Sequence, residues 1–374
     1  MLPTNPLRRG LIEDRTGDAC AVVIFGASGD LTKRKLIPAL YNLAISRSLP
    51  SGFAVVGVAR REKTHDSFRA EMKEGVSSFS RRKPIDPAVW ADFERAVSYV
   101  RGSFDDPRTY VALREHLDHL AAERGTRKNC LFYLAVPPAE FGVIVKNLRE
   151  AGLVAPAHRD GPWSRVVIEK PFGHDLESSR ELNDVIASAF DESQVFRIDH
   201  YLGKETVQNL LVFRFANSLF EPLWNREHVD HVQITVAEEI GVEGRGKFYE
   251  QTGVTKDIVE NHLMQLLCLT AMEPPISLSA DAVRDEKVKV LRSLRPMERS
   301  LVQENVVRGQ YARGFTRGEE VPGYREEPDV AKDSRVETFL AMRVFVDNWR
   351  WGGVPFYVRA GKRMARRVTE IAIQ

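Results

Sequence analysis

The sequence predicts two domains, an α/β domain with a parallel sheet and a following α+β domain with an antiparallel sheet. From Ala21 onward, short and continuously apolar segments alternate with helical periods, which is typical of a parallel sheet covered on both faces. Beyond about residue 200, strand candidates alternate large apolar with polar residues, as strands with one covered face do. The length of 374 residues fits two domains of ordinary size.

Six strands are expected in the first domain. Each is short, rich in β-branched or aromatic residues, and bounded by polar stretches. They are residues 21–25, 53–58, 97–101, 131–135, 165–168 and 195–198. The clearest helix between them begins after Asp106, because Pro107 suits the first helical turn and Gly125 suits the end.

The second domain is expected to combine long helices with alternating strands. Helical periods cover residues 205–220 and 254–272, and strand patterns cover 231–239, 336–346 and 354–360. A loop with Gly241, Gly244 and Gly246 separates the first of these strands from the second helix. Residues 308–330 carry glycine, proline and charge without a period, so we expect an exposed loop there.

Composition excludes several classes of function. Lysine and arginine number 54 against 52 aspartates and glutamates, so overall charge does not favour nucleic acid or an anionic membrane as a partner. Cys20, Cys130 and Cys268 are too few and too far apart for a disulfide framework. No stretch reaches the roughly 18 apolar residues of a membrane span. We therefore expect a cytoplasmic protein with a flexible N-terminal segment, residues 1–18.

A glycine-containing loop follows the first strand candidate and precedes a helix. It comprises Gly26, Ala27, Ser28 and Gly29, and its backbone N–H groups, with the helix start, suit a pyrophosphate. Because the sequence G-A-S-G-D-L departs from the G-x-G-x-x-G pattern, a tight structural turn stays an alternative to a nucleotide loop. A phosphate-binding loop of the GxxxxGK[ST] type is excluded, because Leu31 stands where that pattern requires glycine.

Arginines stand at the end of the second strand candidate, where NAD enzymes usually carry an acid. Arg60 and Arg61 suit the 2′-phosphate of NADP, although a solvated arginine pair is the alternative. The basic run 33–35 begins a helix whose following turns are apolar. A helix start that faces phosphate therefore accounts for this run better than a nucleic-acid patch does.

Two further polar segments follow strand candidates, at the edge where open α/β sheets bind ligands: EKPFG at 169–173 and RIDHYLGKE at 197–205. His200, Tyr201 and Lys204 together suit a phosphate monoester, which leaves Asp199 to orient another group. The alternative for the Asp-His pair is a structural hydrogen bond at a strand end.

One histidine lies within the apolar helix 254–272. His262 is either a satisfied core residue or a base for a sugar hydroxyl, and Asp199 is available to accept from one of its ring nitrogens. The pairs His116/His119 and His228/His231 are poorly placed for a shared ion. We predict no catalytic metal.

Eight motifs in order resemble the glucose-6-phosphate dehydrogenase family. They are GASGDLTKRKL, VVGVARR, LFYLAVPP, EKPFG, RIDHYLGKE, EGRG, DIVENHLMQ and VPFYVRAGK. The resemblance implies oxidation of glucose 6-phosphate at C1 to 6-phosphogluconolactone with NADP, the first step of the oxidative pentose phosphate pathway. It also implies an NADP-binding Rossmann domain at 19–200. A substrate domain at 201–374 would then carry a large, mostly antiparallel sheet at the interface of a homodimer or homotetramer.

The resemblance also implies roles for individual residues. His262 would be the general base and Asp199 the carboxylate that orients it. Substrate contacts would come from His200, Tyr201, Lys204, Glu238, Asp257, Lys362, Lys170 and, at greater distance, Arg367. Cofactor contacts would come from Gly26, Ala27, Ser28, Gly29, Asp30, Leu31, Lys35, Arg60, Pro137, Pro138 and Lys170.

Members of this family continue beyond the position equivalent to Gln374, so we expect the second domain to be C-terminally incomplete. Missing strands would leave a sheet edge exposed. The alternative function is therefore a non-catalytic or regulatory chain that binds sugar phosphate or nucleotide, or pairs with a full-length subunit. A second alternative keeps the fold but changes the substrate to another sugar phosphate or to glucose.

Overall fold

The computed structural model describes residues 16–157, 161–173, 175–217 and 219–374. These residues form two compact units, one ending at Ile198 and the other beginning at Asp199. Of the expected flexible segment 1–18, residues 1–15 lie outside the described residues. Within the described ranges, every helix falls short of the length and apolarity that crossing a bilayer requires.

The first unit is built on a six-stranded parallel sheet, which confirms the predicted sheet type. Its strands are β1 Cys20–Phe25, β2 Phe53–Ala59, β3 Val97–Arg101, β4 Cys130–Leu134, β5 Ser164–Glu169 and β6 Val195–Ile198. The strand order is β3-β2-β1-β4-β5-β6. The chain therefore reverses its direction of travel across the sheet between β1 and β4, and such a reversal point is where open α/β sheets bind dinucleotides.

Helices cover both faces of this sheet. They are α1 Ile37–Ile45, preceded by a π-helical turn Thr32–Leu36, then α2 His65–Phe79, α3 Pro87–Arg95, α4 Pro107–Arg124, α5 Phe141–Glu150 and α6 Leu176–Ala187. Val23 and Phe25 pack into one core and Val22 and Ile24 into the other, as successive residues of a strand must. The predicted helix after Asp106 is confirmed, because the Asp106 side chain caps it and Gly125 ends it at φ +70°.

The second unit is built on a mixed five-stranded sheet of order β13-β7-β12-β11-β8. Its strands are β7 Val232–Ala237, β8 Val306–Gly309, β11 Phe339–Phe345, β12 Pro355–Gly361 and β13 Val368–Ile373, with a separate hairpin of β9 Gly314–Thr316 and β10 Glu319–Val321. All neighbours in the five-stranded sheet are antiparallel except β7 and β12. The predicted, mostly antiparallel sheet is thus confirmed.

The helices of the second unit are α7 Glu205–Phe215, α8 Gly246–Val254, α9 Met264–Ala271, α10 Ala280–Arg292 and α11 Arg299–Asn305, with a π-helical segment Thr255–Leu263 leading into α9. Leu263 and Leu267 share a core with Ile234 and Val236 of β7. The long helix expected at 254–272 is therefore present, but its first half is wound as a π-helix.

Two expectations about the second unit are wrong. The helix expected at 205–220 ends at Phe215, where the backbone of Ala216 leaves the helical region. Residues 308–330 are not a simple exposed loop, because they include the β9–β10 hairpin and the buried Tyr324. Tyr324 packs edge-on against Tyr249 and Tyr311, and such aromatic contacts between distant segments leave no sequence period.

Candidate active site

The centre of the candidate site is a hydrogen-bonded pair of an acid and a histidine. Asp199 directly follows β6, and His262 lies on the π-helical segment. The Nδ1 atom of His262 lies 2.6 Å from Oδ1 of Asp199, and the histidine is only 3% exposed. Burial raises the pKa of Asp199, but the hydrogen bond and the charge of His262 outweigh it and hold that pKa below its usual range. The carboxylate therefore stays ionised beside the imidazole.

Tyr201 contacts both members of this pair. Its backbone N–H donates to Oδ1 of Asp199 at 2.9 Å, and its ring stacks on His262 with centroids 4.0 Å apart and planes 13° apart. Lys204 places its ammonium 3.2 Å from the centroid of the same tyrosine ring. His200 meets the rings of Tyr201 and His262 edge-on at 5.1 and 4.5 Å. Three side chains of the RIDHYLGKE segment, Asp199, His200 and Tyr201, thus contact His262, and Lys204 lies over Tyr201.

Lys204 is partly buried and lies in the field of one further cation and two carboxylates. Burial lowers the pKa of Lys204, and the nearby positive charge of Arg367 lowers it further, against the opposing charges of Glu238 and Asp199. Arg367 is exposed and directly precedes β13. Lys204 and Arg367 are two cations that act on each other, and a doubly charged anion is a suitable ligand for such a pair.

A second cluster forms where two parallel strands end side by side. Glu238 follows β7 and Lys362 follows β12, and the register pairs Ala237 with Gly361 directly before them. Nζ of Lys362 lies 2.5 Å from Oε2 of Glu238 and 3.5 Å from Oδ2 of Asp257. The lysine side chain is 1% exposed, so its charge is buried and compensated by these two carboxylates.

The π-helical winding explains how Asp257 joins the site. In an α-helix, residues five apart point about 140° away from each other. The i→i+5 bonding of a π-helix instead places Asp257 and His262 one turn apart on the same side. The side-chain amide of Asn261 also donates to the carbonyl of Lys256 at 2.6 Å within this segment. A search for α-helical periodicity could not have revealed this face.

Three side chains here each offer one atom that could contact a metal ion. Ligand atoms of Asp199, His200 and His262 all lie within 4.8 Å of one another. The predicted absence of a catalytic metal therefore stays a prediction.

The residues expected to bind the cofactor lie in the first unit, at the carboxyl edge of its parallel sheet. The loop with Gly26 and Gly29 follows β1, Arg60 follows β2, Pro137 and Pro138 follow β4, and Lys170 follows β5. Gly26 has φ +83°, and a Cβ there would lie 2.2 Å from the carbonyl oxygen of Ala135, so the loop requires glycine. This tight turn at the reversal point of the sheet, followed by a helix start, fits the diphosphate of a dinucleotide.

Some residues around this edge are exposed, and others fix the backbone at the strand ends. Arg60, Gly29, Asp30 and Lys35 are exposed, whereas Ala27 is buried against the sheet. The hydroxyl of Tyr99 donates to the carbonyls of Ala59 and Arg61, which fixes the strand end that carries Arg60. Ser28 and Leu31 are half-buried in the turn and the first helical residues.

One hydrogen-bonded pair at this edge was not predicted from the sequence. The hydroxyl of Tyr133, on β4, donates to Oε1 of Glu169 at 2.5 Å, directly before Lys170. Burial raises the pKa of Tyr133, so the phenol stays a donor. The only signal in the sequence was a tyrosine within the apolar strand LFYLA, facing the segment EKPFG.

Two family models match the chain and together cover nearly all of it. The model described as "Glucose-6-phosphate dehydrogenase, NAD binding domain" matches residues 23–209, and the model described as "Glucose-6-phosphate dehydrogenase, C-terminal domain" matches residues 211–374.

Curated relatives match over almost the whole chain. The glucose-6-phosphate 1-dehydrogenase of Chlamydia pneumoniae is 50% identical over 365 residues, which is 97% of this chain and 70% of that protein. The enzyme of the same name from Bacillus subtilis is 47% identical over 353 residues, or 94% of this chain and 70% of that protein.

Solved structures of the same kind superpose well. A glucose-6-phosphate dehydrogenase in complex with its substrate glucose-6-phosphate matches with a TM-score of 0.86 at 37% identity, over 97% of this chain and 72% of that one. Glucose-6-phosphate 1-dehydrogenase from Mycobacterium avium matches with a TM-score of 0.81 at 40% identity, over 95% and 72%. Sequence and fold therefore agree over both units.

Proposed function

The chain belongs to the glucose-6-phosphate dehydrogenase family, and from that premise we propose how its residues perform the family's reaction. The reaction oxidises the C1 hydroxyl of glucose 6-phosphate and forms 6-phosphoglucono-1,5-lactone. NADP, when bound, supplies the acceptor for the hydride that leaves C1. The observation that carries the proposal is the buried 2.6 Å contact between His262 and Asp199.

His262 is the general base in this proposal. Because Nδ1 is engaged by Asp199, the proton of the C1 hydroxyl is accepted at Nε2. Asp199 holds the ring by its Nδ1 side and stabilises the imidazolium that forms, which is the role of the carboxylate in a catalytic triad. The depressed pKa of Asp199 supports this role, since the carboxylate must remain charged while the histidine gains a proton.

The substrate phosphate is assigned to His200, Tyr201 and Lys204, with Arg367 as a more distant cation. The effect of Arg367 on Lys204 supports this assignment, because a phosphate dianion relieves the repulsion between the two cations. Glu238 and Asp257 would accept from sugar hydroxyls, and Lys362 would donate from between them.

The cofactor is assigned to the carboxyl edge of the parallel sheet. The turn Gly26, Ala27, Ser28 and Gly29, with Asp30, Leu31 and Lys35 of the following helix, would hold the diphosphate. Arg60 would pair with the 2′-phosphate, and Pro137 and Pro138 would lie near the nicotinamide. Lys170 would contact both cofactor and substrate.

We further propose the domain roles, location and assembly of the protein. Residues 19–200 would form the NADP-binding domain and 201–374 the substrate and dimerisation domain. The protein would act in the cytoplasm as a homodimer or homotetramer and catalyse the first step of the oxidative pentose phosphate pathway.

An activity assay beside a thermal-shift assay tests the proposal. Purified protein should reduce NADP when glucose 6-phosphate is added, and each ligand should raise the melting temperature, because a ligand that binds only the folded state stabilises it. Stabilisation by both ligands without NADP reduction would instead favour a binding or regulatory chain. Equal activity on glucose and glucose 6-phosphate would contradict the roles given to His200, Tyr201 and Lys204.

A further inference from the structure

We infer that Tyr201 is a positioning residue for the base. The face of its ring holds the imidazole of His262 parallel to it and stabilises the imidazole once the imidazole is protonated. This role is separate from the phosphate contact proposed for the tyrosine hydroxyl. It rests on the proposed function, since it presupposes that His262 accepts the proton.

The hydrogen bond to Asp199 leaves one rotation of the His262 ring undetermined. A single hydrogen bond at Nδ1 sets the distance between the imidazole and the carboxylate, but it leaves the ring able to tilt about the axis that joins the two atoms. Such a tilt moves Nε2, the atom that must meet the C1 hydroxyl. A misplacement of about 1 Å costs about a hundredfold in rate.

The tyrosine ring removes this freedom. It lies 4.0 Å from the imidazole with only 13° between the planes, which is a parallel stack. Both side chains are buried, with Tyr201 5% and His262 3% exposed. The backbone N–H of Tyr201 meets the same Asp199 oxygen as the imidazole does. One residue therefore fixes both partners of the pair.

The Tyr201 ring also lies between two groups that can carry positive charge. Lys204 lies 3.2 Å from the centre of the tyrosine ring and His262 lies 4.0 Å from it, so the two groups cannot share one face. The ring consequently stands between the ammonium and the imidazole. Because the faces of an aromatic ring carry negative charge density, the ring attracts both cations and separates them.

Other charged groups act on the same cluster and set the background of any pH profile. Burial raises the pKa of Tyr201, and Glu238, Arg367 and Asp199 act on it as charges, together with a hydrogen bond from Thr369 that lowers it. The titratable or charged groups around the Tyr201–His262 stack are Asp199, His200, Lys204, Glu238 and Arg367. Lys287 of α10 interacts in turn with the charge of Asp199.

Two variants at one position separate the ring from the hydroxyl. Tyr201→Phe keeps the ring and loses the hydroxyl, so we expect a higher KM for glucose 6-phosphate, and this variant is the reference for loss of the ring. Tyr201→Leu removes the ring as well, so we expect its kcat to be lower than that of Tyr201→Phe by about tenfold or more. The acid limb of its kcat profile should also move to lower pH, because the imidazolium loses the face that stabilises it. The inference would be overturned if Tyr201→Phe and Tyr201→Leu had equal kcat values and the same acid limb in their pH profiles of kcat.

Fluorinated phenylalanines at position 201 give a second measurement that does not remove the ring. Increasing fluorination weakens the negative face while the ring keeps its shape, so the acid limb should move stepwise to lower pH relative to Tyr201→Phe. If the acid limb of the kcat profile stays at the same pH across the series, the inference is overturned. This test holds even if the leucine variant does not fold. A wild-type protein that fails to reduce NADP would instead contradict the proposed function itself.

Discussion

Lys362 lies 2.5 Å from Glu238 although 124 positions separate them along the chain. The contact follows from the parallel pairing of β7 and β12, which end at the same edge of the sheet. The buried ammonium also faces Asp257 at 3.5 Å. The cluster therefore joins two strand ends to the segment that carries His262.

Removal of this lysine should affect both stability and substrate binding. Lys362→Met leaves two neighbouring carboxylates without their cation, and breaking a buried ion pair typically costs about 3–5 kcal/mol of unfolding free energy. We expect a similar loss in urea unfolding and a marked rise in KM for glucose 6-phosphate. The double variant Lys362→Met/Glu238→Gln should recover part of the stability but not the KM. Unchanged stability in the single variant would contradict the buried pair.

The base assignment predicts the effect of an amide at position 262. His262→Asn keeps hydrogen-bonding capacity but cannot accept a proton at neutral pH, so kcat should fall by at least about a hundredfold, as is typical of losing a general base. Binding of glucose 6-phosphate, measured by calorimetry, should remain near wild type because the proposed phosphate contacts are intact. The exposed His119→Asn is a suitable control for histidine replacement elsewhere. Full turnover in the variant would refute the assignment.

The environment of Lys204 predicts how substrate affinity depends on pH. Phosphate binding needs the ammonium form, and burial together with Arg367 lowers the pKa of this lysine. KM should therefore begin to rise on the alkaline side at a lower pH than an ordinary lysine would allow. Lys204→Arg should abolish this rise, because a guanidinium stays protonated.

Arg367→Gln offers the matched control for that pH dependence. Without the neighbouring cation, the pKa of Lys204 should increase, and the rise in KM should move to higher pH. A profile that moves to lower pH, or not at all, would show that Arg367 does not act on the phosphate site.

Cofactor preference should depend on the exposed arginine after β2. Arg60→Ala removes a charged hydrogen bond worth about 1.5–3 kcal/mol, so KM for NADP should rise about ten- to a hundredfold. KM for NAD should change little, because NAD lacks the 2′-phosphate. Arg61→Ala tests whether the effect is local or a general loss of positive charge. Equal effects of Arg60→Ala on NADP and NAD would place the 2′-phosphate elsewhere.

The parallel sheet was predictable because its features are local. Each strand is a short apolar run, and the turn at Gly26 is visible as glycine between a strand and a helix. The 308–330 region was not predictable in the same way. Its order depends on Tyr324 packing with Tyr249 and Tyr311, and residues so far apart in sequence share no period.

Within the site, the sequence indicated the polar residues and the pairing of Asp199 with His262, but it did not indicate other contacts. The contact between Tyr133 and Glu169 depends on β4 lying beside β5. Asp257 and His262 lie on the same side of their segment because it has π-helical hydrogen bonding. A pattern search with a period of 3.6 residues does not detect this.

The sequence by itself determined the two sheet types, the glycine turn and the set of polar residues at strand ends, because these depend on backbone requirements and spacing over a few residues. Only the tertiary structure decided that Lys362 is buried between two carboxylates, that Asp257 lies on the same side as His262, and that Tyr201 presents its ring to the base. These contacts arise from strand order and helix winding, which bring together residues whose separation along the chain carries no information about their distance in space.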